Sequence, residues 1–204
     1  MKKSIKKELL YDVREEMPTL TSEPLPYINL PVTDLDKLFS YIKQHRIDYY
    51  RPYRYMYLTG RRPGETCLYE KTDVIPTTIE PKELHIRKEI TKTRRDSVIY
   101  LTGELKTLIQ DSLRGNSTKW LFPNRKNRKC WNDGVYKYLR RVSERVIGAQ
   151  LSPRYFRKRF HTTKIPISMR DAMSISGLKD TRVAMEHYAY STPEGQAKIL
   201  AKAI

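Results

Sequence analysis

The hydrophobic and polar positions of the front part of the chain follow the spacing of amphipathic helices. Apolar residues recur three and four positions apart, as on one helix face, at Leu35, Leu38, Phe39 and Ile42. The stretch 33–36, Thr-Asp-Leu-Asp, is typical of a helix start. A second helix is predicted from Arg51 to Leu58, ending at Gly60.

Between about residues 66 and 101 the spacing changes to two, which predicts half-buried strands. The alternating residues are Leu84, Ile86, Ile90, Val98 and Tyr100. Helical spacing returns over 105–113, ending at Gly115, and over 135–146, ending at Gly148, with shorter helices expected after Pro153. The pattern predicts an α+β fold, mainly α-helical with a small three-stranded antiparallel sheet.

The length of 204 residues suits one good-sized domain or a domain plus a small appendage. Prolines cluster at and just beyond the end of the first 30 residues, which favours an extended arm over a packed element. We therefore predict an N-terminal arm or linker over 1–31 and one domain over 32–204. The last residues, 193–204, are expected to form a C-terminal helix.

The charge of the chain is strongly unbalanced: 40 Lys and Arg against 23 Asp and Glu give +17. Such a charge predicts a polyanionic partner, with nucleic acid the first candidate and an anionic membrane the second. No apolar run has the roughly 18 residues of a membrane-spanning helix, and no secretory signal follows Met1. The two cysteines form no Cys-x-x-Cys motif, so we expect buried thiols and a cytoplasmic location.

Four short segments carry residues suited to chemistry on phosphate. They are 57–65 (YLTGRRPGE), 90–95 (ITKTRR), 151–157 (LSPRYFR) and 176–194, which contains SGL, HYAY and PE. In order and spacing they resemble the boxes of the tyrosine recombinase (phage integrase) family. The resemblance extends over about residues 32–203.

The resemblance implies a role for one residue of each segment. Arg62, of the Thr-Gly-x-Arg-x-x-Glu box, and Arg157, of the Ser-Pro-x-x-x-Arg box, correspond to the catalytic arginines. Lys92 corresponds to the lysine of a β-turn, and Tyr188 to the nucleophile. The family's fold and chemistry are then expected: cleavage of DNA through a 3′-phosphotyrosine, with neither metal nor ATP.

These residue types fit that reaction. A phosphodiester under attack gathers negative charge on its non-bridging oxygens, and arginine can clamp them with charge-assisted, bidentate hydrogen bonds. The tyrosine hydroxyl becomes an effective nucleophile only when the site activates it. The leaving 5′-oxygen needs a proton, which a lysine can supply as general acid.

Two positions depart from the family pattern. Arg154 stands where histidine is usual, and it cannot shuttle a proton at neutral pH. Leu178 stands where histidine or tryptophan supports the phosphate, and its side chain offers no donor. His161, one helical turn beyond Arg157, is a candidate substitute for the imidazole. Tyr190 is a rival nucleophile two residues beyond Tyr188.

Further basic residues are candidates for contacts with the DNA backbone, although a basic run is also typical of a solvated helix face. They are Arg94, Arg95, Lys137, Arg140, Arg141 and Lys158. The resemblance also implies duplex DNA with inverted half-sites as partner, and a homo-tetramer in which the C-terminal helix contacts a neighbouring subunit. The family's separate N-terminal core-binding domain is expected to be absent.

Three other functions are compatible with the sequence. One is a DNA-binding module of the same fold without chemistry, which Arg154 and Leu178 would favour. Another is an RNA-binding protein with a basic surface, whose Arg62, Arg157 and Tyr188 would affect affinity alone. A type IB topoisomerase shares the chemistry, but the compact order of the boxes favours an integrase.

Overall fold

A computed structural model describes residues 29–77, 80–115, 117–130 and 132–188. For residue 132 and residues 186–188 it describes the backbone alone. The predicted arm up to residue 28, the rival nucleophile Tyr190 and the predicted tail helix 193–204 lie outside the described residues.

Two consecutive helices, α1 (Val32–His45) and α2 (Ile47–Thr59), open the described domain. The predicted apolar stripe of α1 is buried, as its spacing requires. The prediction that α2 begins at Arg51 was wrong. The Arg46 guanidinium donates two hydrogen bonds to the Asp48 carboxylate, at 2.9 and 2.8 Å, and these hold the extra first turn.

The three strands form an antiparallel sheet in the order β1-β2-β3, which confirms the predicted fold class. They are β1 (Val74–Ile75), β2 (Glu83–Ile86) and β3 (Ser97–Tyr100). Two details differ from the alternation pattern. Ile90 lies in a short 3-10 helix of the β2–β3 connection, and in β3 the buried residue is Ile99, while the Tyr100 ring is 72% exposed. Residues 98–101, Val-Ile-Tyr-Leu, form a continuous apolar run, and the spacing of such a run does not reveal which face of the strand is buried.

The remaining helices are α3 (Pro63–Thr66), α4 (Gly103–Arg114), α5 (Asn132–Ile147), α6 (Pro153–Lys164), α7 (Met169–Ser176) and α8 (Thr181–Tyr188). The predicted helix ends at Gly115 and Gly148 are confirmed. In the described part of the chain, no helix has the length and apolar character needed to cross a membrane.

Helix α2 occupies the centre of the domain and packs against α1, α4 and α6. One core lies between α1, α2, α5 and α6, and a second lies between α2, α4 and the sheet. Leu30, at the end of the predicted arm, is buried in the first core, as are Cys67 and Cys130, which are not joined by a disulfide. This arrangement brings the C-terminal end of α2 close to α6 and α7.

Candidate active site

A cleft of about 820 Å³ opens where three distant segments of the chain meet. One wall is formed by the start of α3, one by the turn between β2 and β3, and one by α5 and α6. Its cationic lining residues are Arg62, Lys92, Arg154, Arg157 and Lys158. Among the described residues that line it, Glu65 supplies the one carboxylate. The cleft is therefore suited to an anion.

Arg62 enters the cleft from the N-cap position of α3, where Pro63 begins the helix. Its Nη1 donates a 2.9 Å hydrogen bond to Oε1 of Glu65. The Glu65 side chain is 4% exposed and that of Arg62 is 29% exposed. The buried carboxylate thus orients the guanidinium while part of it stays accessible from the cleft.

Arg61, the neighbour of Arg62, is a structural residue whose side chain is 1% exposed. Its Nε donates to the Ile175 carbonyl at 2.6 Å, and its Nη2 donates to Oγ of Ser97 at 2.9 Å. Its Nη1 also lies 3.7 Å from Oε2 of Glu65. One guanidinium therefore ties the end of α2 to β3, α7 and the residue that orients Arg62.

Arg157, on α6, lies beside the C-terminal ends of α2 and α7. Its Nη1 donates to the carbonyls of Gly60, at 2.6 Å, and Ser176, at 2.7 Å. Gly60 has a φ of +65°, and a Cβ there would lie 2.5 Å from the Phe160 ring. Both the positive φ and the short distance to the Phe160 ring require glycine at this position. Because glycine allows α2 and α6 to approach closely, Arg157 lies at the cleft.

Lys92 is exposed in the turn between β2 and β3 and lines the cleft. The turn is held internally, because Asp96 Oδ1 accepts a 2.7 Å hydrogen bond from the backbone N–H of Lys88. It is also tied to the segment ahead of α8, because the Lys179 ammonium donates to the Thr93 carbonyl at 2.9 Å.

Arg154 is exposed on the first turn of α6, and Lys158 follows one turn later, so both reach the cleft. His161, the candidate substitute, is buried one turn further on. Its Nε2 lies 2.7 Å from Oγ of Ser176. Burial, reinforced by the charges of Arg157 and Arg62, lowers the His161 pKa to about 3, so the ring is neutral at physiological pH. His161 does not replace the missing imidazole in the cleft.

Leu178 does not line the cleft. It packs against the small core between α6, α7 and α8, formed by Phe160, Ile165, Ala172 and Ala184. Gly177 precedes it with a φ of +65°, and a Cβ there would lie 2.6 Å from Nη1 of Arg61. The donor that the family usually has at this position is thus replaced by an apolar packing contact.

Tyr188 is the last residue of α8, which packs against α6. Its side chain lies outside the described atoms, so its role as nucleophile stays a prediction.

The other predicted DNA contacts lie away from the cleft lining. They are Arg94 and Arg95 in the β2–β3 turn and Lys137, Arg140 and Arg141 on α5, all of them exposed. Arg140 also bonds within the protein, since its Nε donates to Oε1 of Gln150 at 2.6 Å. Their contact with DNA stays a prediction.

Two residues of this region were not predicted from the sequence. Arg61 adjoins an identical residue type, and only its burial separates the two roles. Tyr136 lines the cleft from α5, between the buried Val135 and Leu139. Its one sequence signal is an aromatic residue next to the apolar face of a basic helix.

The model of the phage integrase family matches residues 29–194, which is most of the chain. The chain belongs to the phage integrase family. The matched range includes every residue for which the box resemblance implied a catalytic role. No curated protein sequence matches the chain.

Solved structures of phage integrase relatives share the fold at low sequence identity. XerA recombinase is 15% identical with a TM-score of 0.68, over 91% of this chain and 66% of that protein. The lambda integrase tetramer bound to a Holliday junction is 13% identical with a TM-score of 0.68, over 93% of this chain and 59% of that one. The Tn1549 transposon integrase in complex with circular intermediate DNA is 14% identical with a TM-score of 0.65, over 97% and 76%. This chain thus spans less than two thirds of the first and second of these proteins.

Proposed function

We propose that this phage integrase family member is a site-specific DNA recombinase that cleaves and rejoins strands through a 3′-phosphotyrosine on Tyr188. The observation that carries the proposal is the convergence of Arg62, Arg157 and Lys92 on one cationic cleft. These side chains come from three separate segments, and their sequence order is that of the family boxes.

The two arginines bind the scissile phosphate and stabilise the charge that develops on its non-bridging oxygens. Both are held by the protein through part of the guanidinium, Arg62 by Glu65 and Arg157 by two carbonyls. Donors that are positioned before the reaction do not have to reorganise during it, which is the main source of such catalysis.

In the proposed step, the Tyr188 hydroxyl gives its proton to a solvent water molecule as its oxygen attacks phosphorus. A phosphotyrosine bond forms to the 3′ side of the break, and the bond from phosphorus to the 5′-oxygen breaks. Lys92 gives a proton to the departing 5′-oxygen. Since the new ester keeps the energy of the old one, the reverse step can rejoin the strand to a different 5′-hydroxyl without metal or ATP.

The proposed partner is duplex DNA with inverted half-sites, bound in the cytoplasm by a homo-tetramer whose C-terminal helices contact neighbouring subunits. Two solved structures of one relative, lambda integrase, support an oligomer on DNA: one is a tetramer bound to a Holliday junction and the other a dimer bound to a core site. Arg154 and Lys158 extend the cationic surface from the cleft along α6 and would contact adjacent phosphates.

The test is covalent capture on a library of nicked duplexes of random sequence, with EDTA present throughout. A nick beside the cleavage point lets the short fragment with the new 5′-hydroxyl diffuse away. The covalent protein–DNA intermediate then accumulates and runs as a slow band on a denaturing gel. We expect the band for wild type and not for Tyr188→Phe, with mass spectrometry locating the nucleotide on Tyr188. Tyr190→Phe is the matched control and should retain the band.

Each alternative function predicts a different result. A band lost in Tyr190→Phe and retained in Tyr188→Phe would assign the nucleophile to Tyr190. Intact DNA binding without any band would favour a silent DNA-binding module, as the apolar Leu178 would suggest. Stronger binding to RNA than to duplex DNA, with Arg62→Met affecting affinity alone, would favour the RNA-binding alternative.

A further inference from the structure

Tyr136 is the one aromatic side chain among the described residues that line the cleft. It lies on the second turn of α5 and is half-buried. Its hydroxyl makes no hydrogen bond to any residue that the structure describes. A phenol in a cationic cleft is therefore available to bind an anion that enters it.

The backbone that carries Tyr136 is held rigidly in the domain. Val135 and Leu139, on either side of it, are buried in the first core. The Tyr53 hydroxyl, itself buried, donates a 2.6 Å hydrogen bond to the carbonyl of Val135. A donor on such a supported helix is positioned in advance of the substrate, as a catalytic donor should be.

Other residues in this region that could supply a neutral hydrogen-bond donor lack one or use it inside the protein. Leu178 carries none and packs away from the cleft. His161 is buried and bonded to Ser176 instead of facing the cleft. Thr91, the other hydroxyl of the cleft lining, donates to the Lys88 carbonyl inside its own turn. Tyr136 is the hydroxyl that remains for the substrate among the described lining residues.

We propose that the Tyr136 hydroxyl donates a hydrogen bond to a non-bridging oxygen of the scissile phosphate, in place of the donor that Leu178 lacks. This assignment rests on the proposed recombinase function and adds a catalytic residue to it. The hydroxyl keeps its proton throughout, and the bond strengthens as charge builds on the phosphate during attack.

The test compares wild type with Tyr136→Phe in single-turnover cleavage of a nicked duplex recovered from the library. Loss of one preorganised donor should slow cleavage by about 100- to 1,000-fold. Thermal unfolding should match that of wild type, because the removed oxygen bonds to no described residue. DNA affinity should fall by a smaller factor than the cleavage rate, because the bond strengthens as charge builds on the phosphate. Tyr100→Phe is the matched control, since that ring is exposed on β3 and does not line the cleft.

A second substrate tests the contact itself. A methylphosphonate at the scissile position replaces one non-bridging oxygen by methyl. In the diastereomer that removes the accepting oxygen, wild type and Tyr136→Phe should cleave at the same rate. An unchanged difference in both diastereomers would show that the hydroxyl acts elsewhere and would overturn the assignment.

The remaining outcomes separate this inference from the proposed function. Cleavage by Tyr136→Phe within twofold of wild type, with Tyr188→Phe inactive, would refute the donor and leave the recombinase standing. A covalent band in Tyr188→Phe that is missing in Tyr136→Phe would make Tyr136 the nucleophile and overturn both assignments. No band from wild type on any duplex would remove the reaction, and the donor role with it.

Discussion

Adjacent arginines with different burial should respond to the same substitution in different ways. Arg61→Met removes the donor for two main-chain carbonyls and for Ser97, and leaves the buried Glu65 carboxylate without its nearest buried cation. Breaking a buried pair in this way typically costs about 3–5 kcal/mol. Arg62→Met removes one charge-assisted hydrogen bond to Glu65 from a partly exposed side chain, while Arg61 still offsets the charge of the carboxylate, so the loss is about 1.5 kcal/mol.

Urea unfolding followed by circular dichroism measures the difference. With a denaturant slope of about 2–3 kcal/mol per molar for a domain of this size, Arg61→Met should lower the midpoint by roughly 1–2 M and Arg62→Met by about 0.5–0.8 M. At a low temperature, where both variants are folded, the cleavage rate should show the opposite order. Arg62→Met should lower this rate more than Arg61→Met does.

Arg61→Lys provides an intermediate case in the event that Arg61→Met does not fold. Lysine keeps the charge, but its single ammonium cannot reach acceptors on both α7 and β3 at once. Its midpoint should lie between those of Arg61→Met and wild type. Equal midpoints for Arg61→Met and Arg62→Met would refute the structural role of Arg61.

Three further substitutions test other parts of the site. Lys92→Ala should slow cleavage of an ordinary duplex but not of one with a 5′-bridging sulfur, because a thiolate leaves without a proton; equal slowing on both would exclude the general-acid role. His161→Gln should flatten the pH dependence of stability between pH 5 and 6.5 in urea titrations. Between these pH values His161 binds a proton in the unfolded chain but not in the folded one. The free energy of unfolding of wild type should therefore fall by up to about 1.4 kcal/mol for each pH unit of acidification. Identical pH profiles for wild type and His161→Gln would contradict the lowered pKa. Replacing Lys137 and Arg141 together by neutral residues should reduce the slope of log affinity against log salt concentration by about 1.8 if both contact phosphates. An unchanged slope would show that the two side chains lie on a solvated helix face without contacting DNA.

Residue type and spacing were sufficient to predict which side chains share a cleft, and the catalytic roles of those side chains stay predictions. Arg62, Lys92 and Arg157 lie on one cleft because the box order reflects which segments the fold brings together. Arg61 was not recognised because its role arises from burial, which a motif shared with Arg62 does not reveal. Leu178 was correctly recognised as lacking a donor, but its packing against α6 and α8 depends on tertiary structure.

Errors in the predicted elements have a similar origin. The first turn of α2 is held by a local ion pair of Arg46, which apolar spacing does not detect. Ile90 follows the alternation of a strand, yet the chain turns there to present Lys92. The general-acid candidate thus follows a residue that alternation alone would assign to a strand.

The hydrogen bond from Lys179 to the Thr93 carbonyl joins the turn that presents Lys92 to the segment just before α8. The proposed proton donor and the helix that ends at Tyr188 are therefore mechanically connected across 86 residues of sequence. An exposed bond of this kind contributes about 1 kcal/mol, which limits the coupling between the two segments to roughly fivefold in an equilibrium constant. Movement of α8 that brings Tyr188 to the phosphate would thus favour the active position of the Lys92 turn by only this small free energy. The two groups would become active together and would still separate after each strand transfer.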